Sequence, residues 1–395
     1  MEIPDWRAQP TLAQIEDVRR RFPTEPAIDE SLTRKMRQRG AGRPHIPQSL
    51  DTVRTSLEAF LRKRIAGSLA VQNVGPLSGG SSKEQFVFEL VRGDGAPEKM
   101  VLRLETPEST VQTNRLREFQ VLAAVQGKVP APKPFWVDVD GTELPQPGLI
   151  YEFKSGVSRP PEGAKTSGPQ QGYNERYLRL LGPQFVDLLA DIATVNWARC
   201  DHSAFVAPEV GTTEAALTGV NWWERIWEED RYEASPMMTR TARWLRENAP
   251  VADHISFVHG DYRTGQFLFD VETAEITAVL DWEIVRLADY HEDLAYPMLR
   301  AFGARDEKGR QLICGFYPAE EYFERYERRS GLTVDAKRVT YYRIFNLYKL
   351  CVIGFATSHR CILSRKSHND TLMGLSAMMG AVNFHELLDE MRKVL

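Results

Sequence analysis

Between His259 and Trp282 the chain reads HGDYRTGQFLFDVETAEITAVLDW, and no other segment restricts the fold as strongly. QFLFD and ITAVLDW are short apolar runs of strand character, and VETAE between them is a polar turn, so the segment is expected to form an antiparallel hairpin. With the turn centred between Thr273 and Ala274, Gln266 and Asp281 fall opposite each other. Residues so opposed have Cβ atoms roughly 4.5–5.5 Å apart. One amide oxygen and one carboxylate can then converge on a hard cation such as Mg²⁺, which prefers oxygen ligands. Asp261 stands on the loop just before the hairpin, within reach of the same point. Taken singly, Asp261 and Asp281 also read as turn or strand-end carboxylates. Their joint spacing points to a site.

The rest of the 395 residues is organised around this hairpin, and the length suggests two or three coupled lobes. Residues 1–70 read as a helical N-terminal extension: LAQIEDVRRRF and SLDTVRTSLEAFLRKRIA carry apolar residues at helical spacing on either side of RGAGRPHIP. From residue 71 to 153 the period changes to that of strands. EQFVFELV and KMVLRLE alternate across the turn RGDGAPE, and TNRLREFQVLAAVQG supplies one helix before VPAPKPFWVDVD and GLIYEF. The Gly/Pro/Ser-rich KSGVSRPPEGAKTSGPQQG marks the lobe boundary, and residues 154–395 are mostly helical, with strands expected only over 257–282.

Composition narrows the partners. Fifty Lys and Arg balance 54 Asp and Glu, a net charge of −4, so a nucleic-acid partner is not expected. No apolar run is long enough for a bilayer, and the N-terminus lacks the apolar core of a signal peptide. The four cysteines, Cys200, Cys314, Cys351 and Cys361, show no paired spacing and read as reduced, mostly buried thiols of a cytoplasmic protein.

HGDYRTGQFLFD, then VLDWE and DYHEDLA, resembles the aminoglycoside phosphotransferase (APH)-like family of small-molecule kinases, over about Val71 to Tyr296. The departure is Gln266, where that family usually carries Asn. The resemblance implies an α+β, two-lobed protein-kinase-like fold, with a small antiparallel-sheet lobe (71–153) that covers a nucleotide and a helical lobe (154–395) that carries the catalytic loop and acceptor site. It makes Asp261 the catalytic base, Asp281 a ligand of Mg²⁺ bridging the nucleotide phosphates, and Gln266 the second metal-binding residue. His259, Asp289 and Asp293 become bracing residues. The strand VLRLE places Arg103 where such kinases use a phosphate-contacting Lys, with Glu118 of the following helix as its partner. Arg keeps the charge and can grip phosphate by two N–H groups.

Upstream, Ser78, Gly79, Gly80, Ser81 and Ser82 form a turn whose backbone N–H groups can approach phosphate oxygens; a plain surface hairpin is the alternative. LIYEF ends in Glu152 and Phe153, where the lobe hinge would present backbone groups to the base of ATP or GTP. NWWERIWEEDRYEASPMM and YYRIFNLYKLCVIGFAT are rich in aromatics, either as core stripes or as walls of a partly apolar acceptor pocket. Tyr262 and Arg263 follow the base and are placed to meet acceptor or phosphate. The expected activity is therefore Mg²⁺- and ATP-dependent phosphorylation of a hydroxyl on a small molecule. A nucleotide-binding pseudokinase with a regulatory or scaffold role is the alternative, motivated by the missing Asn. A hydrolase built on His259 and Asp261 lacks a Ser or Cys nucleophile.

Overall fold

Helices α1 (Leu12–Arg21), α2 (Pro26–Gly40) and α3 (Leu50–Arg62) open the computed structural model, which describes residues 5–42, 46–77, 83–160, 173–364 and 370–395. The Ser49 hydroxyl caps α3 by accepting the Thr52 N–H at 3.1 Å. Its apolar stripe, Val53, Leu57, Phe60 and Leu61, is buried against the sheet that follows. That sheet has five antiparallel strands: β1 (Leu69–Pro76), β2 (Lys83–Arg92), β3 (Glu98–Glu105), β4 (Pro134–Asp138) and β5 (Gly148–Glu152), in the order β1-β2-β3-β5-β4. Helix α4 (Arg115–Ala124) connects β3 to β4, and its Val121 and Leu122 join Leu149 in the core of the larger lobe.

The N-terminal helices divide between the two lobes. While α3 lies on the small sheet, Ile28 and Leu32 of α2 enter the larger core. Lys35 and Arg39 of α2 are buried as well, because each finds an opposite charge. Arg34 reaches Glu105 at the end of β3 (3.1 Å), and Arg39 pairs with Glu108 (2.7 Å). Lys35 and Arg39 also meet Asp230, at 3.0 and 2.8 Å. Helix α2 therefore touches both lobes.

The larger lobe begins with α5 (Glu175–Ala193), α6 (Glu214–Asp230) and α7 (Pro236–Glu247). Strands β6 (Ser256–Val258), β7 (Phe267–Phe269), β8 (Ile276–Val279) and β9 (Arg286–Ala288) follow, then α8 (His291–Ala295), α9 (Ala319–Ser330) and α10 (Ala336–Cys351). A π-helical stretch, Val352–Ser358, leads into α11 (His359–Ser364) and α12 (Asp370–Val394). Strands extend beyond the expected 257–282, since β9 pairs with β6, Phe257 opposite Leu287. The aromatic-rich segments are core: Trp222, Trp223 and Trp227 of α6 and Tyr341, Tyr342, Phe345 and Tyr348 of α10 are all buried. No helix among the described residues is long and apolar enough to cross a membrane.

The β7–β8 hairpin forms, with a register that differs from symmetry. Asp270 donates its N–H to Glu275 O (2.9 Å), which centres the turn one residue earlier than expected, and the ladder shifts between Leu268 and Phe269. Phe267 pairs with Val279, and Leu280 N–H donates to Gln266 O at 2.8 Å. Gln266 thus lies opposite Leu280, and Asp281 stands one residue past the ladder.

Candidate active site

The loop between β6 and β7 is held by its own backbone polarity. Asp293, near the start of α8, accepts the N–H of His259 (2.6 Å) on one oxygen and of Gly260 (2.8 Å) on the other. Burial pushes the Asp293 carboxyl up to about 7, against the pull of these two N–H groups. Gly260 has φ +84°, and a Cβ there would stand 3.0–3.1 Å from the Ile284 side chain and carbonyl, so the turn requires glycine. His259 is fully buried, and burial lowers its pKa and keeps the ring neutral. Its Nε2 donates to Leu280 O (2.8 Å), which leaves Nδ1 to accept the Asp261 N–H at 3.2 Å. His259 and Asp293 brace the loop, whereas Asp289 engages His291 instead (2.6 Å).

These constraints bring Asp261, Gln266 and Asp281 together. Gln266 Nε2 donates to Asp261 Oδ2 and, at 3.3 Å, to Asp281 Oδ2. Asp281 adopts a left-handed conformation (φ 64°, ψ 51°), uncommon for a residue with a Cβ and typical of functional sites. Gln266 presents its N–H₂ because two carboxylates face it; turned by half a rotation it presents its oxygen. Two carboxylates and one amide oxygen are a donor set that suits Mg²⁺. Asp261 Oδ1 accepts Arg263 Nε at 3.0 Å, and the Arg263 guanidinium lies 5.2 Å from the centre of the Phe302 ring. Tyr262 does not reach this site: it is buried and its hydroxyl donates to Phe185 O at 2.7 Å.

Arg103 comes down from β3 onto the same point. Nη1 donates to Glu118 Oε1 (2.7 Å), the pairing expected from sequence, while Nη2 donates to Asp281 Oδ1 (2.7 Å) and to Glu283 Oε2 (3.0 Å). Burial raises the Asp281 carboxyl, but Arg103 outweighs it and holds the group below the usual carboxylate range. Glu283 moves the other way, raised by burial and by its neighbour Asp281. Sequence reasoning did not single out Glu283, nor Lys83 at the start of β2. The Lys83 ammonium is buried, donates to Ser109 Oγ (3.0 Å) and Val111 O (2.9 Å), and lies 3.9 Å from Glu283. Burial pushes its pKa down to about 8.

Ser78, Gly79, Gly80, Ser81 and Ser82 lie outside the described residues. At the hinge, the N–H groups of Glu152 and Phe153 are taken by Lys133 O (2.9 Å) and Lys99 O (3.2 Å). These two amides serve the strands, so they are not the groups offered to a nucleotide base.

The sequence model of the phosphotransferase enzyme family matches residues 73–331. Among curated proteins the chain is 26% identical over 318 residues to acyl-CoA dehydrogenase family member 10 of Mus musculus, covering 74% of this chain and 27% of that protein. It is 24% identical over 352 residues to acyl-CoA dehydrogenase family member 11 of Rattus norvegicus, covering 83% and 42%. The chain therefore spans less than half the length of these relatives. Among solved structures, a candidate aminoglycoside phosphotransferase from Ralstonia eutropha superposes with a TM-score of 0.58 at 21% identity, over 84% of this chain and 98% of that one. A macrolide 2'-phosphotransferase type I gives 0.52 at 18%, over 82% and 95%. With the antiparallel sheet and helical lobe, these matches define an α+β, two-lobed kinase-like fold.

Proposed function

The chain belongs to the phosphotransferase enzyme family, and on that premise we propose that it phosphorylates a hydroxyl group of a small molecule, using ATP or GTP with Mg²⁺. The observation that carries this reading is the convergence of Asp261, Gln266 and Asp281 below the Arg103–Glu118 pair. Asp261 accepts the hydrogen bond of the acceptor hydroxyl, orients it and takes its proton as the phosphoryl group transfers. Arg103, fixed by Glu118, contacts the phosphates with its fork of N–H groups. Asp281 and Gln266 would hold Mg²⁺, which would neutralise charge on the phosphates. The lobe of residues 71–153 covers the nucleotide, and 154–395 carries the base and the acceptor site.

Tyr296 and Phe302, close to Arg263, would make one wall of the acceptor site partly apolar. The names of the curated relatives support an acyl group on the acceptor. The free thiols support a reducing, cytoplasmic setting. A screen of hydroxylated metabolites for Mg²⁺-dependent nucleotide consumption and a phosphorylated product tests the proposal. Nucleotide binding with no turnover on any acceptor would establish the pseudokinase alternative instead.

A further inference from the structure

We propose that Lys349 is a positioning residue for the base Asp261, acting from a helix beyond the residues matched by the family model. Helix α10 spans Ala336–Cys351, whereas the match ends at residue 331. Lys349 is buried, and its ammonium donates to the carbonyl of Gly260 at 2.6 Å. That carbonyl belongs to the peptide that carries Asp261. The N–H of the same peptide donates to His259 Nδ1, and the two preceding N–H groups are held by Asp293. Lys349 supplies the grip from the carbonyl side, on a turn that only glycine can make.

The carboxylate neighbour, Glu292, is the more distant partner of the ammonium. Its Oε1 lies 3.4 Å from the ammonium, long beside the 2.6 Å to the Gly260 carbonyl, while its Oε2 takes Arg286 through Nε (2.8 Å) and Nη2 (2.6 Å). Asn346, one turn earlier on α10, donates to Glu292 O at 2.8 Å and sets the helix in register with α8. The remaining face of the ammonium lies 4.6 Å from the centre of the Tyr296 ring, and the Tyr296 phenol faces the side chains of Asp261 and Arg263. Burying an ammonium carries a large desolvation cost, which an apolar side chain on α10 would avoid. Its place here therefore serves the loop: it fixes the Gly260 carbonyl below and the Tyr296 ring beside the base.

This inference rests on the phosphotransferase reading, and the test separates the two. Mg²⁺-dependent nucleotide turnover and nucleotide affinity are measured for the wild type, K349M, K349Q, K349R and V339A, the last a buried α10 residue remote from the loop contacts described. The expectation is that kcat of K349M falls about 10- to 100-fold, the scale of a misplacement near 1 Å. Nucleotide affinity stays unchanged, K349R recovers part of kcat, and V339A loses thermal stability but keeps kcat. K349M turning over like an active wild type would overturn this inference alone. So would V339A and K349M losing kcat in proportion to stability, or a K349M and a K349Q that both fail to fold. A wild type without Mg²⁺-dependent turnover would overturn the phosphotransferase reading, and this inference with it.

Discussion

Replacing Arg103 by methionine removes a cation that three carboxylates share, and the consequences can be worked from their surroundings. The Arg103 side chain is 4% exposed; Glu118 is 3% exposed, Glu283 9% and Asp281 31%. Without it, Glu118 keeps Arg115 and Glu283 keeps Lys83 at 3.9 Å, but Asp281 is left with the Gln266 amide. Removing one partner of a buried pair costs about 3–5 kcal/mol; because two of the acids retain another cation, R103M should lose about 3 kcal/mol at neutral pH. The loss should depend on pH. In the wild type, Arg103 holds Asp281 below the usual range, so its stabilisation is present above the unfolded value and is lost only as pH falls through the lower folded one. In R103M burial acts without that opposition, the orphaned Asp281 takes up a proton on acidification, and the penalty shrinks from about pH 7 towards pH 4. Urea unfolding of both proteins across that range, analysed by linear extrapolation, measures the gap. R103K, which keeps the charge without the fork, should fall between them. A gap under about 1 kcal/mol at neutral pH, or one that stays constant down to pH 4, would refute the shared-cation account.

At Gln266, Q266A should lose turnover, while Q266N should bind Mg²⁺ as tightly or more tightly. Wild-type activity should keep rising at Mg²⁺ concentrations where Q266N is saturated, and a Q266A protein fully active at low Mg²⁺ would exclude the residue as a ligand. Asp293 carries a pH signature of opposite sign to Asp281. With its carboxyl up at about 7, the folded protein retains a proton that the unfolded chain has released, so stability falls as pH rises from about 4 to 7 and levels off above. D293N should lack that slope in thermal melts, and parallel slopes would count against the assignment. G260A forces a Cβ against Ile284 at φ +84° and should cost about 1–3 kcal/mol together with activity, so a variant with native stability and rate would mean that the loop can relax.

Much of the site was legible because its parts lie close in sequence or on elements with clear periods. Asp261, Gln266 and Asp281 belong to one hairpin and its approach, and Arg103 and Glu118 sit on a strand and on the helix that follows it. The opposition of Gln266 and Asp281 was misjudged by one residue, because a ladder irregularity leaves no mark in the apolar pattern. Glu283 escaped notice because the left-handed turn at Asp281, which brings it to Arg103, has no glycine to announce it. Tyr262 was placed towards the acceptor from its position after the base, whereas its ring belongs to the core. Lys35, Arg39 and Lys349 read as exposed charge in any one segment. Their burial depends on partners at Glu108, Asp230 and Gly260, and only the fold brings these together. Strand β9 is three residues long, too short for a period to show.

The central claim is that Asp261 is the base of a phosphoryl transfer, and D261N tests it most directly. Once an acceptor is in hand, the wild type and D261N are compared for initial rate of product formation and for nucleotide affinity at saturating Mg²⁺. The account predicts a wild type that makes phosphorylated product, and a D261N protein slowed by about 10²- to 10⁴-fold that binds nucleotide as before. A D261N protein that turns over at the wild-type rate would contradict it.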